Sequence, residues 1–182
     1  MVGDAVEMDF LAAELDWVGE QLENGAPFFG ICLGAQMMAH ALGAKVWEHP
    51  DGMREIGYHE INATAAGREL FPESFTAYQW HREGFDLPEG TELLATGGEA
   101  FYNQAFRYGE NAYGVQFHPE MYPKTMERWI TSEAGGPQLS LPGAQMAAEQ
   151  RALAPVHNPV MRRWLDGFVN AWIGPANGDR QT

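Results

Sequence analysis

Leu11, Leu15, Val18 and Leu22 recur at the three- and four-residue steps of a helix, with Glu14, Glu20 and Glu23 on its other faces. Asp4 or Asp9 can cap its start, and Asn24-Gly25 terminates it. The pattern then changes. Phe28-Phe29-Gly30-Ile31 is a short apolar run after Pro27, suited to a buried parallel strand, and residues 35–42 return to a helix-forming pattern that Gly43 stops. A helix delivered into such a strand is half of an α/β unit. Residues 44–48 and 55–61 read as strands around the turn His49-Pro50-Asp51-Gly52, and residues 75–80 as another, rich in β-prone aromatics. Leu87-Pro88-Glu89-Gly90 is a turn before a strand at 92–95. Residues 101–107 and 112–117 read as strands joined by the hairpin loop Tyr108-Gly109-Glu110-Asn111. A helix is predicted over 123–132, carrying Met126, Trp129 and Ile130, then a glycine- and proline-rich loop over 135–142 and a short helix over 145–153. Val160, Trp164, Phe168 and Trp172, four residues apart, predict a separate last helix with one apolar face.

Composition narrows this outline to a class. With 182 residues, 45% of them hydrophobic, the chain suits one globular domain over residues 1–174 and a loose tail over 175–182. A formal charge of −14 argues against a nucleic-acid or anionic-membrane surface. A single cysteine rules out an internal disulfide, so a reducing, cytoplasmic location is expected; no N-terminal segment has the basic start and apolar core of a secretion signal. Residues 26–44 carry no charge and are long enough to cross a bilayer, but Pro27, Gly30, Gly34, Gln36, His40 and Gly43 make a poor span. Strand, turn and helix explain the run better, and the chain reads as soluble.

The lone cysteine lies inside that run, in Gly30-Ile31-Cys32-Leu33-Gly34. Glycines on either side permit a tight strand-to-helix turn that pushes the sulfur out at the edge of a sheet, beside a helix N-terminus that favours a thiolate. The alternative is a small buried hydrophobe. A second cluster is Gly114-Val115-Gln116-Phe117-His118-Pro119-Glu120, where a strand ends in a histidine and a carboxylate two positions apart, on one face of extended backbone. Pro119 biases His118 away from helix. A thiol nucleophile needs a base, and an imidazole base needs a carboxylate to hold its tautomer. Cys32, His118 and Glu120 are one of each. His118 and Glu120 could instead be half of a metal site, but no neighbouring Cys or His completes it, and the histidines at 40, 49, 59, 81 and 157 do not cluster. No metal and no cofactor is expected.

Together the stretches Gly30-Ile31-Cys32-Leu33-Gly34-Ala35-Gln36 and Gln116-Phe117-His118-Pro119-Glu120 resemble the G-x-C-x-G-x-Q and Q-F-H-P-E motifs of the class I glutamine amidotransferases. Gln79-Trp80-His81 followed by Phe85-Asp86-Leu87-Pro88 resembles the GMP-synthase-like branch, and the resemblance runs from about Leu11 to Trp129. It implies an α/β, three-layer, flavodoxin-like sheet with helices on both faces and a small antiparallel hairpin region. It implies a γ-glutamyl thioester on Cys32, with His118 as base and then acid, Glu120 as orienter and the Leu33 N–H as oxyanion donor. Gln36, Trp80 and His81 would bind substrate, while Tyr58 and Tyr78 belong to core or rim. The substrate would be glutamine, with ammonia passed to a separate synthetase subunit. The alternatives are a stand-alone γ-glutamyl peptidase or hydrolase, and a catalytically impaired binding relative. In the family a βαβ unit ending in a glycine-rich loop precedes the position of Asp4 and carries a second oxyanion donor. Met1-Val2-Gly3-Asp4 resembles the tail of that loop, so the expectation is a chain lacking the unit, with reduced glutamine hydrolysis and a sheet edge prone to homo-oligomerisation.

Overall fold

The structure is a computed structural model and describes residues 9–174. The element order is α1 (Asp9–Glu23), β1 (Phe28–Ile31), α2 (Leu33–Ala41), β2 (Val46–Glu48), β3 (Glu55–Ala63), β4 (Ser74–His81), β5 (Glu83–Phe85), β6 (Thr91–Thr96), β7 (Asn103–Tyr108), β8 (Ala112–Val115), α3 (Pro123–Thr131) and α4 (Ala147–Ile173). Six strands form one sheet in the order β1-β8-β7-β6-β3-β4, and β2 with β5 forms a second, two-stranded sheet. Within the larger sheet β1 and β8 run parallel, and the remaining pairs are antiparallel.

The alternation of the strands sorts side chains to two faces. Phe28 and Ala112 join Leu11, Val18, Leu22, Met37, Met38 and Ala39 of α1 and α2 on one face. Phe29, Ile31, Tyr113 and Val115 meet Met161, Trp164, Phe168 and Trp172 of α4 on the other. Helices therefore cover both faces, as expected for a three-layer α/β fold. Among the described residues no helix is long and apolar enough to cross a membrane.

Several elements differ from the sequence reading. Residues 145–153 and 160–173 are not two helices: α4 runs unbroken from Ala147 to Ile173 with Pro155 and Pro159 inside it. Each proline removes one backbone hydrogen bond, a penalty of about 3 kcal/mol in a free helix. Tertiary contacts offset it. Ala154, Asn158, Met161 and Phe168 are buried, and Gln150 and Asn158 accept hydrogen bonds from the hydroxyls of Tyr78 (2.8 Å) and Tyr58 (2.7 Å). Both tyrosines are thus core residues of β3 and β4. The strands at 44–48 and 55–61 do not pair with one another across their turn; β2 pairs with β5, a three-residue strand the apolar pattern did not signal. Residues 136–140 of the expected loop form a short 3₁₀ helix. Asp4, the loop-like residues 1–4 and the tail at 175–182 lie outside the described residues.

For the site, the decisive feature is the β1/β8 register. Ile31 lies opposite Val115, and the Cys32 N–H donates to the Val115 carbonyl at 2.8 Å. Two segments 84 residues apart therefore leave the sheet side by side, one carrying Cys32 and the other Gln116 and His118.

Candidate active site

Cys32 has φ 49° and ψ −101°, making it the non-glycine residue of positive φ among the described residues. Such a backbone is strained for a residue with a β-carbon and persists only where its surroundings over-determine it. Here β1 hydrogen bonding holds its N–H, and its carbonyl accepts from the Gln36 N–H at 3.1 Å in the first turn of α2. Gly30 makes the turn possible by absence: a β-carbon there would lie 2.5 Å from the Gly34 carbonyl carbon and 2.7 Å from the Ala35 nitrogen. The sulfur is left half-buried at the start of α2, and Leu33 is the first residue of that helix, where backbone N–H groups lack intrahelical partners.

His118 arrives from the other segment, its N–H bonded to the Tyr78 carbonyl at 2.7 Å. Its Nδ1 lies 2.7 Å from Glu120 Oε1, which leaves Nε2 as the ring nitrogen available to Cys32. Burial alone would pull the imidazole pKa down, but the hydrogen bonds and charges of Cys32 and Glu120 outweigh it and hold it up at about 10. Trp129 of α3 packs edge-on against the His118 ring, with centroids 5.1 Å apart, and against Trp80 at 5.5 Å. The structure thus brings Cys32, Leu33, Trp80, His118 and Glu120 to one edge of the sheet. Trp129 joins them. In the sequence it looked like one more apolar residue of a helix, with nothing to mark its neighbour.

Gln36 and His81 are placed differently. Both are buried. The Gln36 amide nitrogen donates to the Glu83 carbonyl at 2.9 Å and to Gln116 Oε1 at 3.3 Å. His81 uses both ring nitrogens internally, Nδ1 on the Glu83 carbonyl at 2.9 Å and Nε2 on Glu55 Oε2 at 3.0 Å. These two side chains lie behind the sulfur, while the half-buried Trp80 offers its carbonyl 3.9 Å from Cys32 Sγ. Gln116, not singled out by the sequence reading although it lies in the second motif, directs its Nε2 at the sulfur from 3.6 Å. Among the described residues no group of three or more His, Cys, Asp or Glu is placed to hold a metal ion.

A cysteine on a strained strand-to-helix turn, facing a carboxylate-held imidazole, has the parts for nucleophilic attack on a carbonyl. Comparison with known proteins gives the family. Residues 8–134 match the family described as Glutamine amidotransferase class-I. The chain belongs to this family. The class I amidotransferase fold extends through the whole described chain: a crystal structure of a glutamine amidotransferase from Thermotoga maritima superposes with a TM-score of 0.82 at 32% identity, covering 96% of this chain and 74% of that one. The GMP synthase [glutamine-hydrolyzing] of Porphyromonas gingivalis is 38% identical over 107 residues, 56% of this chain and 21% of the relative. The putative glutamine amidotransferase-like protein YfeJ of Salmonella typhimurium is 35% identical over 123 residues, 65% of this chain and 50% of the relative. This class I amidotransferase chain therefore spans about a fifth of the length of that GMP synthase and half that of YfeJ.

Proposed function

We propose that the chain is a glutamine-hydrolysing amidotransferase unit that releases ammonia from the side-chain amide of glutamine, using Cys32, His118 and Glu120 as its triad. His118 Nε2 holds the cysteine proton, and the sulfur attacks the carboxamide carbon. The tetrahedral oxyanion accepts a hydrogen bond from the Leu33 N–H at the start of α2. His118 returns the proton to the leaving nitrogen, the C–N bond breaks, and ammonia departs, leaving a γ-glutamyl thioester. Water then gives a proton to His118 and attacks the thioester; the C–S bond breaks, glutamate leaves and Cys32 is regenerated. Glu120 holds Nδ1 throughout and stabilises the imidazolium. Trp80 and Trp129 form the aromatic side of the substrate space.

The observation that carries this reading is the coincidence, at adjoining segments leaving the sheet side by side, of the positive-φ Cys32 with a histidine whose Nδ1 is held by a carboxylate. The family relation supports glutamine as substrate, since the GMP synthase relative is named as glutamine-hydrolysing. The name of that relative also motivates assigning the ammonia to a synthetase as acceptor, and we place the reaction in the cytoplasm. The test is labelling by a diazo-ketone analogue of glutamine. Labelling of Cys32 alone is expected, slowed in His118→Ala by the about 10²–10⁴ that general-base assistance contributes. Labelling that persists in Cys32→Ala would overturn the assignment. Assay of glutamine beside small γ-glutamyl peptides then decides the substrate: peptide cleavage equal to or faster than glutamine hydrolysis, without a partner, would make the chain a γ-glutamyl peptidase instead.

A further inference from the structure

Behind Cys32 the structure buries a continuous run of hydrogen-bonded polar side chains. Gln79 Nε2 donates to Gln104 Oε1 (2.7 Å) and Gln104 Nε2 to Glu55 Oε2 (2.8 Å). Glu55 Oε2 also meets His81 Nε2 (3.0 Å), and His81 Nδ1 meets the Glu83 carbonyl (2.9 Å). That carbonyl accepts from Gln36 Nε2 (2.9 Å), which lies 3.3 Å from Gln116 Oε1, and Gln116 Nε2 lies 3.6 Å from Cys32 Sγ. Every side chain of this run is buried, Gln79, Gln104 and Gln116 completely. Buried amides and charges are costly unless satisfied, so so many in one line, ending on the only cysteine, require a reason.

A proton inventory provides one. A carbonyl oxygen can only accept. The atom of Gln36 beside the Glu83 carbonyl must therefore be its amino nitrogen, and His81 must carry a proton on Nδ1, with a further proton shared between its Nε2 and Glu55 Oε2. The atom of Gln116 facing the Gln36 amino group must then be its oxygen. The remaining end of the Gln116 amide, the one at the sulfur, is forced to be N–H. Turned over, Gln116 would set amino against amino and oxygen against the thiolate, repulsive at both ends. His81 and Gln36 converge on one carbonyl, which fixes where that carbonyl stands, and Glu55 holds the far side of the His81 ring.

We infer that Gln116 is a further catalytic residue, a hydrogen-bond donor to the Cys32 thiolate, with Gln36, His81 and Glu55 as positioning residues that make its N–H the only end able to face the sulfur. This inference rests on the reading of Cys32 as the nucleophile and adds to it: the sulfur is held between His118 on one side and a neutral donor on the other. A donor that bonds the thiolate but carries no charge stabilises the anion without adding a second proton to be managed. Gln36 and His81 then act on the reaction through Gln116.

The test uses alkylation of Cys32 by iodoacetamide as a function of pH, which is free of interference because the chain has one cysteine. The titratable group on the sulfur side is His118, whose Nδ1 is held by Glu120, and those facing His81 are Glu55 and His59, so each variant's midpoint is read as a difference from the parent. A hydrogen bond to a charged group corresponds to about one pH unit. Gln116→Met keeps the length and removes the donor; its alkylation midpoint is expected to rise by about one unit, with about tenfold slower labelling on the acid side and the same rate at the alkaline plateau. Gln36→Met leaves Gln116 present but free to turn, and is expected to shift the midpoint less, in the same direction. An unchanged midpoint in Gln116→Met overturns the donor role; a shift there with none in Gln36→Met overturns the positioning role. A measurement on the unsubstituted protein guards against a folding defect: the side-chain amide signal of Gln116 should move with the alkylation midpoint and stop doing so in Cys32→Ala. Absence of that movement is equally fatal. Glutamine takes no part in these measurements, so failure of the glutaminase reading would show separately, as lack of labelling by the diazo-ketone.

Discussion

The two glycines flanking Cys32, the proposed nucleophile, look equivalent in the sequence and should respond oppositely to alanine. A β-carbon on Gly30 would lie 2.5 Å from the Gly34 carbonyl carbon, 2.6 Å from its oxygen and 2.7 Å from the Ala35 nitrogen, while one on Gly34 would meet nothing within 4 Å. The obstacles at Gly30 are backbone atoms of the first turn of α2, which cannot turn aside as a side chain can. In Gly30→Ala either β1 or the whole start of α2 must retreat by several tenths of an ångström. Overpacking of this kind costs about 1–3 kcal/mol. The shift also falls on the helix whose first N–H is assigned to the oxyanion and whose preceding residue is the strained Cys32. A displacement approaching 1 Å at a reacting group costs about 10²-fold in rate. Gly34→Ala, in a helix and in open space, should hold or raise stability by up to about 1 kcal/mol through helix propensity alone. Urea denaturation followed by tryptophan fluorescence gives the stabilities, and ammonia release from glutamine, with or without a synthetase partner, gives the rates. A Gly30→Ala protein as stable and as active as the parent would refute the close-approach argument for this turn.

Two titrations extend the same reasoning. The His118 pKa is raised from 6.5 to about 10, so the stability its protonated form contributes should be fully present below pH 6.5 and lost as pH rises through about 10; urea midpoints of the parent and His118→Gln should converge over that window, and divergence with rising pH would contradict the sign. Tyr58 is pushed up from 10.0 to about 12 by burial, against the opposing effect of its hydrogen bond to Asn158, so its ionisation, read from ultraviolet absorbance, should be delayed and stability should fall between those values; Tyr58→Phe should abolish that step and cost about 1–3 kcal/mol by leaving Asn158 Oδ1 unpaired.

The sequence by itself determined the local elements and nominated the candidate centre. Periodicity placed α1, β1, α2, β4, the β7–β8 hairpin and α3, because each buries a face whose spacing is written in consecutive residues. The two motifs nominated Cys32, His118 and Glu120, because the functional demands of a tight turn, a base and an orienter restrict residue type at short range. What the tertiary structure decided was non-local. Whether α4 is one helix or two depended on burial and on Tyr58 and Tyr78 from distant strands, which outweighed the local penalty of Pro155 and Pro159. The pairing of β2 with β5 across the intervening strands, and the edge-on packing of Trp129 against His118, likewise have no short-range signature. Most plainly, Gln36, His81 and Gln116 read in sequence as substrate contacts or as an unremarked polar position. The roles proposed for them follow from which atom of each can donate, and that is set only when Glu55, Glu83 and Cys32 are brought to the same place.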